Sequence, residues 1–168
     1  MKNEGFSMVE LVVVVTIIGI LAITLGFSYQ GWLGRYKVES AVKGLYSDMM
    51  SAQTMAMRRD IRYFVDFPSA TTYRIIVDGN GDNKLTAGVG DTVQPQFPKT
   101  LDYPVTGAVT LTFDSRGLIY QGAPPGVLIT APVPIWMTST SNPDYDCIMV
   151  SESRVYIGQM NGGACVVK

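Results

Sequence analysis

An uncharged apolar run near the N-terminus constrains this chain more than any other feature. No residue from position 11 to position 34 is charged, and one carboxylate, Glu10, stands at the start of the run. As a helix this segment would be about 36 Å long, enough to cross the hydrocarbon of a bilayer. A helix also satisfies every backbone N–H and C=O within the segment. The sequence therefore predicts a membrane-spanning helix.

Glu10 is unusual in such a segment. An acidic side chain costs roughly 2.5–3.5 kcal/mol at mid-membrane on insertion scales. The polar leader before it ends in Gly5, and cleavage after Gly5 would give Phe6 a new α-ammonium four residues before Glu10. The two charges could then pair within one helix, or between neighbouring helices that are offset along the membrane normal.

This stretch resembles the class III leader of type IV prepilins and type II secretion prepseudopilins. Lys2, Gly5, Phe6 and Glu10 fall on that family's basic, cleavage, N-methylation and assembly positions. The resemblance implies removal of residues 1–5 by a prepilin peptidase, N-methylation of Phe6, and a need for Glu10 in assembly. Other pilin or pseudopilin subunits and an inner-membrane assembly platform are the implied partners. An ordinary secretory signal fits less well, because it would be cleaved after its apolar run. A plain membrane anchor with an accidental Glu10 is the other alternative.

The predicted topology follows from the leader. Residues 1–5 stay cytoplasmic, with Lys2 as positive charge. The chain is expected to cross the inner membrane once, among its lipids, with the bulk of the protein in the periplasm. Assembly would then move it into a pilus or pseudopilus filament.

Composition narrows the chemistry of the exported part. The chain has no histidine and a formal net charge of −1. Without histidine the commonest general base and metal ligand are missing. No serine stands in a G-x-S-x-G pattern, and no glycine-rich phosphate loop is present, so we expect no enzyme. The two cysteines, Cys147 and Cys165, are read as one disulfide because an exported chain meets an oxidising compartment. Two buried free thiols are the alternative.

Helical periodicity continues beyond the apolar run. We predict one helix over residues 6–59, with residues 6–30 as the membrane and assembly half and residues 31–59 as an amphipathic half. Its apolar row consists of Val38, Ala41, Val42, Leu45, Met49, Ala52 and Ala56.

Residues 60–168 are expected to form a β-rich head, which gives an α+β fold with a small antiparallel sheet structure. Strands are predicted at 61–67, 73–78, 109–113, 118–120, 127–130, 135–138, 147–151, 155–159 and 164–167. Asn161-Gly162-Gly163 predicts a tight hairpin between the last two.

The head also resembles the minor pilins and pseudopilins of the GspH/FimT class. The element Phe113–turn–Gly117 and the closing strands carry the likeness, although Ser153 stands where relatives usually have glycine. This resemblance implies a minor subunit at or near the filament tip that primes assembly. A major pilin of the shaft, and a minor pilin whose head binds DNA or a surface, are the alternatives. Direct DNA binding is not favoured, because basic residues beyond Asp60 form no run and are outnumbered by acids.

One loop of the head has the composition of a cation site. Asp78, Asn80 and Asp82 place oxygen side chains at alternate positions, as calcium loops do. The glycine and glutamate that an EF-hand loop needs at its sixth and twelfth positions are missing. Asn-Gly and Asp-Gly pairs favour turns. We therefore expect no metal or other cofactor, with calcium at these three residues as a weaker alternative.

Overall fold

The computed structural model describes residues 7–86 and 90–168, and at residues 24–30 it describes the backbone only. The predicted cleavage and methylation positions, Gly5 and Phe6, lie outside the described residues, as does Lys2.

A single long helix, α1, runs without interruption from Met8 to Arg59. Its 52 residues correspond to a length of about 78 Å. The helix ends where Asp60 adopts the left-handed conformation, with φ 55°. Two arginines in the last turn complement the partial negative charge of a helix C-terminus. The prediction of one continuous helix that ends at Arg59 is confirmed over the described residues.

The apolar row of the second half of α1 faces the head. Every member is buried except Ala41, which is partly buried and packs against the same core. This row contacts strands of two separate antiparallel sheets, so the core lies between the helix and both sheets.

The first sheet has seven strands in the order β3-β2-β1-β6-β7-β8, with β4 also paired to β2. Its strands are β1 Tyr63–Ser69, β2 Thr72–Val77, β3 Thr92–Val93, β4 Lys99–Thr100, β6 Leu111–Phe113, β7 Ile119–Gln121 and β8 Val127–Leu128. Tyr63 of β1 is central to it, because it pairs with Val77 on one side and Phe113 on the other.

The second sheet has five strands in the order β12-β11-β10-β9-β5. Its strands are β5 Val105–Thr106, β9 Val133–Met137, β10 Cys147–Val150, β11 Val155–Asn161 and β12 Ala164–Val167. The predicted hairpin joins β11 to β12, with Asn161 opposite Ala164. Its two turn residues, Gly162 and Gly163, have φ of 58° and 87°, a conformation that glycine adopts without strain.

A disulfide joins Cys147 of β10 to Cys165 of β12, so the predicted pairing is present. The α+β class is confirmed, with a long helix packed against antiparallel sheets. Three short strands, β3, β4 and β5, were not predicted.

Candidate functional site

The N-terminal part of α1 is an exposed apolar rod. Glu10 lies in its first turn and is exposed. A negative charge there is favourable, because the backbone N–H groups at a helix start carry partial positive charge. The large exposed apolar side chains around and above it are Met8, Val9, Leu11, Val12, Val13, Val14, Val15, Ile17, Ile18, Ile20, Leu21 and Ile23. Within the residues that are described with their side chains, 7–23, 31–86 and 90–168, no helix has both the length and the apolar character that a membrane crossing requires.

The head contacts α1 directly above this rod. We define the base loop as residues 138–146, which connect β9 to β10. The Nε of Arg35 donates a 2.9 Å hydrogen bond to the carbonyl oxygen of Ser141. One turn higher, Oε1 of Glu39 accepts the N–H of Asp144 at 3.0 Å. Gly34 lies so close to Ser141 that an added Cβ would collide with the hydroxyl. The base loop therefore fixes the helix from residue 34 upward.

A second contact lies near the upper end of α1. The buried amide of Gln53 donates hydrogen bonds of 2.8 Å to the carbonyl oxygen of Gly117 and 2.9 Å to that of Ser153. Gly117 belongs to the β6–β7 turn of the first sheet, and Ser153 to the β10–β11 turn of the second. One helical side chain therefore joins both sheets.

The β6–β7 turn is organised by the buried carboxylate of Asp114. It accepts the N–H groups of Arg116 and Leu118, each at 2.9 Å, and the guanidinium of Arg116 through Nε and Nη2. Burial by itself would raise the pKa of Asp114, but the hydrogen bonds from Leu118 and Arg116 outweigh it, so this pKa is lowered. The carboxylate is thus held ionised, and it fixes the shape of the turn.

A polar group joins the middle of α1 to the first sheet. Oδ2 of Asp48 accepts hydrogen bonds from the hydroxyl of Tyr73 and from Nζ of Lys99, both at 2.6 Å. Burial, and then the hydrogen bond and charge of Asp48, raise the pKa of Tyr73. The phenol therefore stays protonated and acts as a donor. This contact has the character of a structural support rather than of a catalytic site.

The loop between β2 and β3 gathers carboxylates. Asp78, Asp82 and Asp91 offer oxygen atoms that lie within 4.8 Å of one another. Asp78 is buried, and its two oxygens accept the N–H groups of Gly81 and Asn83. Oδ1 of Asp91 is buried and has no hydrogen-bond partner within the described part of the chain. This is the set of side chains that could hold a divalent cation.

The grouping differs from the one considered from the sequence. The side chain of Asn80 is used inside the turn, since its Nδ2 donates to Oδ2 of Asp82 at 3.0 Å and its Oδ1 accepts the N–H of Asp82. Asp91 takes the third place instead. In the sequence, Asp91 stands two residues beyond the twelfth position that an EF-hand loop would use, so it was not included in the predicted set.

Comparison with known proteins bears on the N-terminus alone. Residues 1–26 match the family model of the prokaryotic N-terminal methylation motif. This match supports a type IV pilin-like prepilin, a structural subunit that is processed by a prepilin peptidase and assembles with other pilin subunits. No curated protein and no solved structure gives a significant match to the chain. The likeness of the head to the GspH/FimT class therefore stays a prediction.

Other contacts could not be read from sequence. Gln53 follows the buried Met49 by four residues and precedes the buried Ala56 by three, so it lies on the buried face of α1. Nothing local identifies the two carbonyl groups that the tertiary fold places beside it. The pairing of Asp48 with Lys99 joins residues 51 positions apart. The sequence contains no local signal for either contact.

Proposed function

We propose that this chain is a pilin-like structural subunit, and not an enzyme, that assembles through its N-terminal helix into a type IV pilus or a type II secretion pseudopilus. One observation carries the proposal. The methylation motif at residues 1–26 runs into a single helix, Met8–Arg59, whose upper half holds a β-rich head. This arrangement joins an assembly segment rigidly to a displayed domain.

The exposed rod supports storage in a membrane followed by assembly. Fully burying a side chain such as Val, Leu or Ile is worth roughly 1.5–3 kcal/mol, and the rod exposes a continuous set of them. A continuous apolar surface of this kind is unfavourable in water, so we expect lipid or other apolar helices to cover it. In the proposal, inner-membrane lipid covers the rod first, with the head in the periplasm, and the helices of neighbouring subunits cover it in the filament.

The proposed assembly contact is a charge pair. Cleavage after Gly5 creates an α-ammonium on Phe6, which is then N-methylated. Glu10 of a neighbouring subunit pairs with this cation where water is scarce, and the attraction offsets part of the cost of taking the two charges out of water. The exposure of Glu10 on the free helix leaves its carboxylate available for this contact.

Within this class we propose a minor subunit that sits at or near the tip and primes assembly. The support is the resemblance of the head to the GspH/FimT class. A major pilin that builds the shaft is the alternative, and counting subunits in purified filaments separates the two. One copy per filament fits a minor subunit, whereas a dominant band fits a shaft subunit.

A head that binds DNA is the second candidate, and one arrangement favours it. The guanidinium of Arg62 lies 5.8 Å from the ring centre of Tyr120, and Nη2 of Arg116 donates to the hydroxyl of the same residue at 2.9 Å. Arginines beside an aromatic ring suit phosphates and unstacked bases. A salt-dependent shift of labelled DNA with the full chain in detergent would support this candidate, provided that the double variant Arg62→Ala/Arg116→Ala abolishes the shift.

The processing step is tested by mass spectrometry of the protein from native membranes and filaments. We expect an N-terminus at Phe6 carrying one methyl group. A Gly5→Val variant should keep residues 1–5. An intact native protein that still starts at Met1 would overturn the proposal.

The charge pair is tested separately. Glu10→Ala and Glu10→Gln should both be cleaved normally but fail to form filaments, and Glu10→Asp should retain partial assembly. Thr16→Ala is the matched control, because the hydroxyl of Thr16 donates its hydrogen bond to the carbonyl oxygen of Val12 within the same helix. Normal filaments from Glu10→Ala would refute the pair while leaving the pilin-like assignment intact.

A further inference from the structure

Two aromatic side chains lie on the helix where its uncharged run ends. Trp32 and Tyr36 are 61% and 59% exposed. Their rings stack with centroids 5.9 Å apart and an interplanar angle of 19°. The first charged residues after the run, Arg35 and Lys37, lie in the same turn and are also exposed. Aromatic and cationic side chains therefore coincide at one level of the helix.

This aromatic pair faces away from the head. At 100° per residue, Trp32 and Tyr36 project roughly 120–160° from the direction of Val38, which is buried in the core. The base loop contacts the helix through Gly34, Arg35 and Glu39 instead. The pair is therefore not part of the packing that fixes the head.

The chemistry of the pair fits one occupant, the polar boundary of a phospholipid bilayer. Trp and Tyr have an apolar body and a polar tip, and they concentrate at headgroup level in membrane proteins. A surface that only packs against another apolar helix requires neither the indole N–H of Trp nor the hydroxyl of Tyr. The ammonium of Lys37, which is exposed close to the pair, suits lipid phosphates.

The spacing along the helix supports the same occupant. Trp32 lies about 33 Å above Glu10 along an unbroken helix. The hydrocarbon core of a bilayer is about 30 Å thick. With Trp32 at the outer boundary, Glu10 falls at the inner boundary rather than among the acyl chains.

We propose that Trp32 and Tyr36 dock in the outer headgroup layer of the membrane and so set the depth at which the stored subunit sits. This inference rests on the proposed membrane-stored stage. The registration keeps Glu10 in the inner headgroup layer, where its carboxylate remains hydrated. Glu10 therefore escapes the cost that an acid carries at mid-membrane. The cleaved N-terminus of another subunit stored at the same depth then lies about 6 Å below this carboxylate, so the two pair when one subunit is displaced along the membrane normal.

The test is depth-dependent fluorescence quenching of the full chain in phospholipid vesicles. The phospholipids carry bromine, the quencher, either close to the headgroup or near the middle of the bilayer. The chain has two tryptophans, so Trp136→Phe leaves Trp32 as the only reporter. Trp32→Phe leaves Trp136, a residue of the head, as the matched control. If Trp136→Phe fails to fold, the difference between the unaltered chain and Trp32→Phe gives the same signal.

We expect a loss of Trp32 fluorescence that is larger with shallow bromine than with deep bromine, and no loss from Trp136. Suppose that the protein floats with the vesicles but that Trp32 is quenched more by deep than by shallow bromine, or by neither. That result would overturn the inference and leave the proposed function standing. Protein that does not float with the vesicles would overturn both the inference and the membrane-stored stage.

Discussion

The side-chain amide of Gln53 donates a 2.9 Å hydrogen bond to the carbonyl oxygen of Ser153, 100 residues further along the chain. The same nitrogen reaches the carbonyl oxygen of Gly117 in the other sheet. A helical side chain thus connects two turns that have no sequence proximity to it. The upper end of the head depends on this contact for the placement of both sheets on the helix.

Replacing Gln53 with methionine should destabilise the head. The variant keeps the length and apolar contacts of the side chain but removes both donated hydrogen bonds. Each buried carbonyl left without a partner costs about 1–3 kcal/mol, so for two carbonyl groups we expect the free energy of unfolding to fall by about 2–6 kcal/mol. Urea denaturation of the detergent-solubilised chain measures it. The control is Thr54→Ala, an exposed position whose hydroxyl bonds back to Met50, with an expected change below about 0.5 kcal/mol. Equal losses in the two variants would contradict the importance of the bridge.

Asp114 should make stability depend on acid pH. Its pKa is lower in the folded chain than its ordinary value, so its contribution is complete above that ordinary value and disappears as the pH falls toward the folded-state pKa. Asp114→Asn should therefore lower stability at pH 7 by about 2 kcal/mol, because hydrogen bonds to a charged group are lost. It should also flatten the decline in stability as the pH falls from about 5 through the ordinary carboxyl range and below it.

Urea midpoints measured across this pH range check the prediction. Asp102→Asn is the control, because Asp102 is exposed and its removal should leave the profile unchanged. A decline of the same steepness in Asp114→Asn and in the unaltered chain would show that the acid sensitivity arises elsewhere.

The disulfide should stabilise the C-terminal strand. Cys147 and Cys165 are 18 positions apart, and closing a loop of this length contributes about 3 kcal/mol in the chain-entropy model. The variant Cys147→Ala/Cys165→Ala should lose about that amount. Its amide hydrogens in β12 should exchange faster, because β12 is an edge strand at the end of the chain. A reductant should lower the stability of the unaltered chain and leave the double variant unaffected.

The carboxylates of the β2–β3 loop should repel one another when no cation is present. Asp82 is the exposed member of the group, and Asp82→Asn removes one of three like charges at close range. We expect a higher melting temperature for this variant in chelator. The control is Asp102→Asn, which removes a charge elsewhere on the surface. An unchanged or lower midpoint for Asp82→Asn would contradict the repulsion.

A calcium titration of the same variants adds a second readout. A calcium-dependent rise in the melting temperature that Asp82→Asn abolishes would show that the loop holds the ion. No rise in the unaltered chain would favour the interpretation of this loop as a turn-rich connection.

Sequence alone predicted the features that have a local physical cause. The buried row of α1 repeats at helical spacing, and Gly162-Gly163 supplies the positive φ angles of a tight hairpin. The start of β9 was not predicted, because the predicted strand covers residues 135–138, whereas β9 begins at Val133 and includes Pro134. Pro134 is tolerated in β9 because β5 pairs with β9 only at Trp136 and Met137. The N–H that Pro134 lacks is therefore not needed for that pairing.

Features that depend on a distant partner were not predictable. The strands β3, β4 and β5 have two residues each, too few for any alternation, and they exist because β2 and β9 offer free edges. Asp91 joins Asp78 through the closure of a loop rather than through a motif. Both cases show that tertiary contact, not local pattern, decides short strands and gathered charges.

The unbroken helix from Met8 to Arg59 has a mechanical consequence. A stiff rod converts a small angle at its foot into a large displacement at its far end. A tilt of about 5° at the N-terminus of a rod about 78 Å long would carry the opposite end through about 7 Å. In the proposed filament, small differences in how neighbouring subunits pack against the N-terminal end of α1 would therefore change the spacing of the heads.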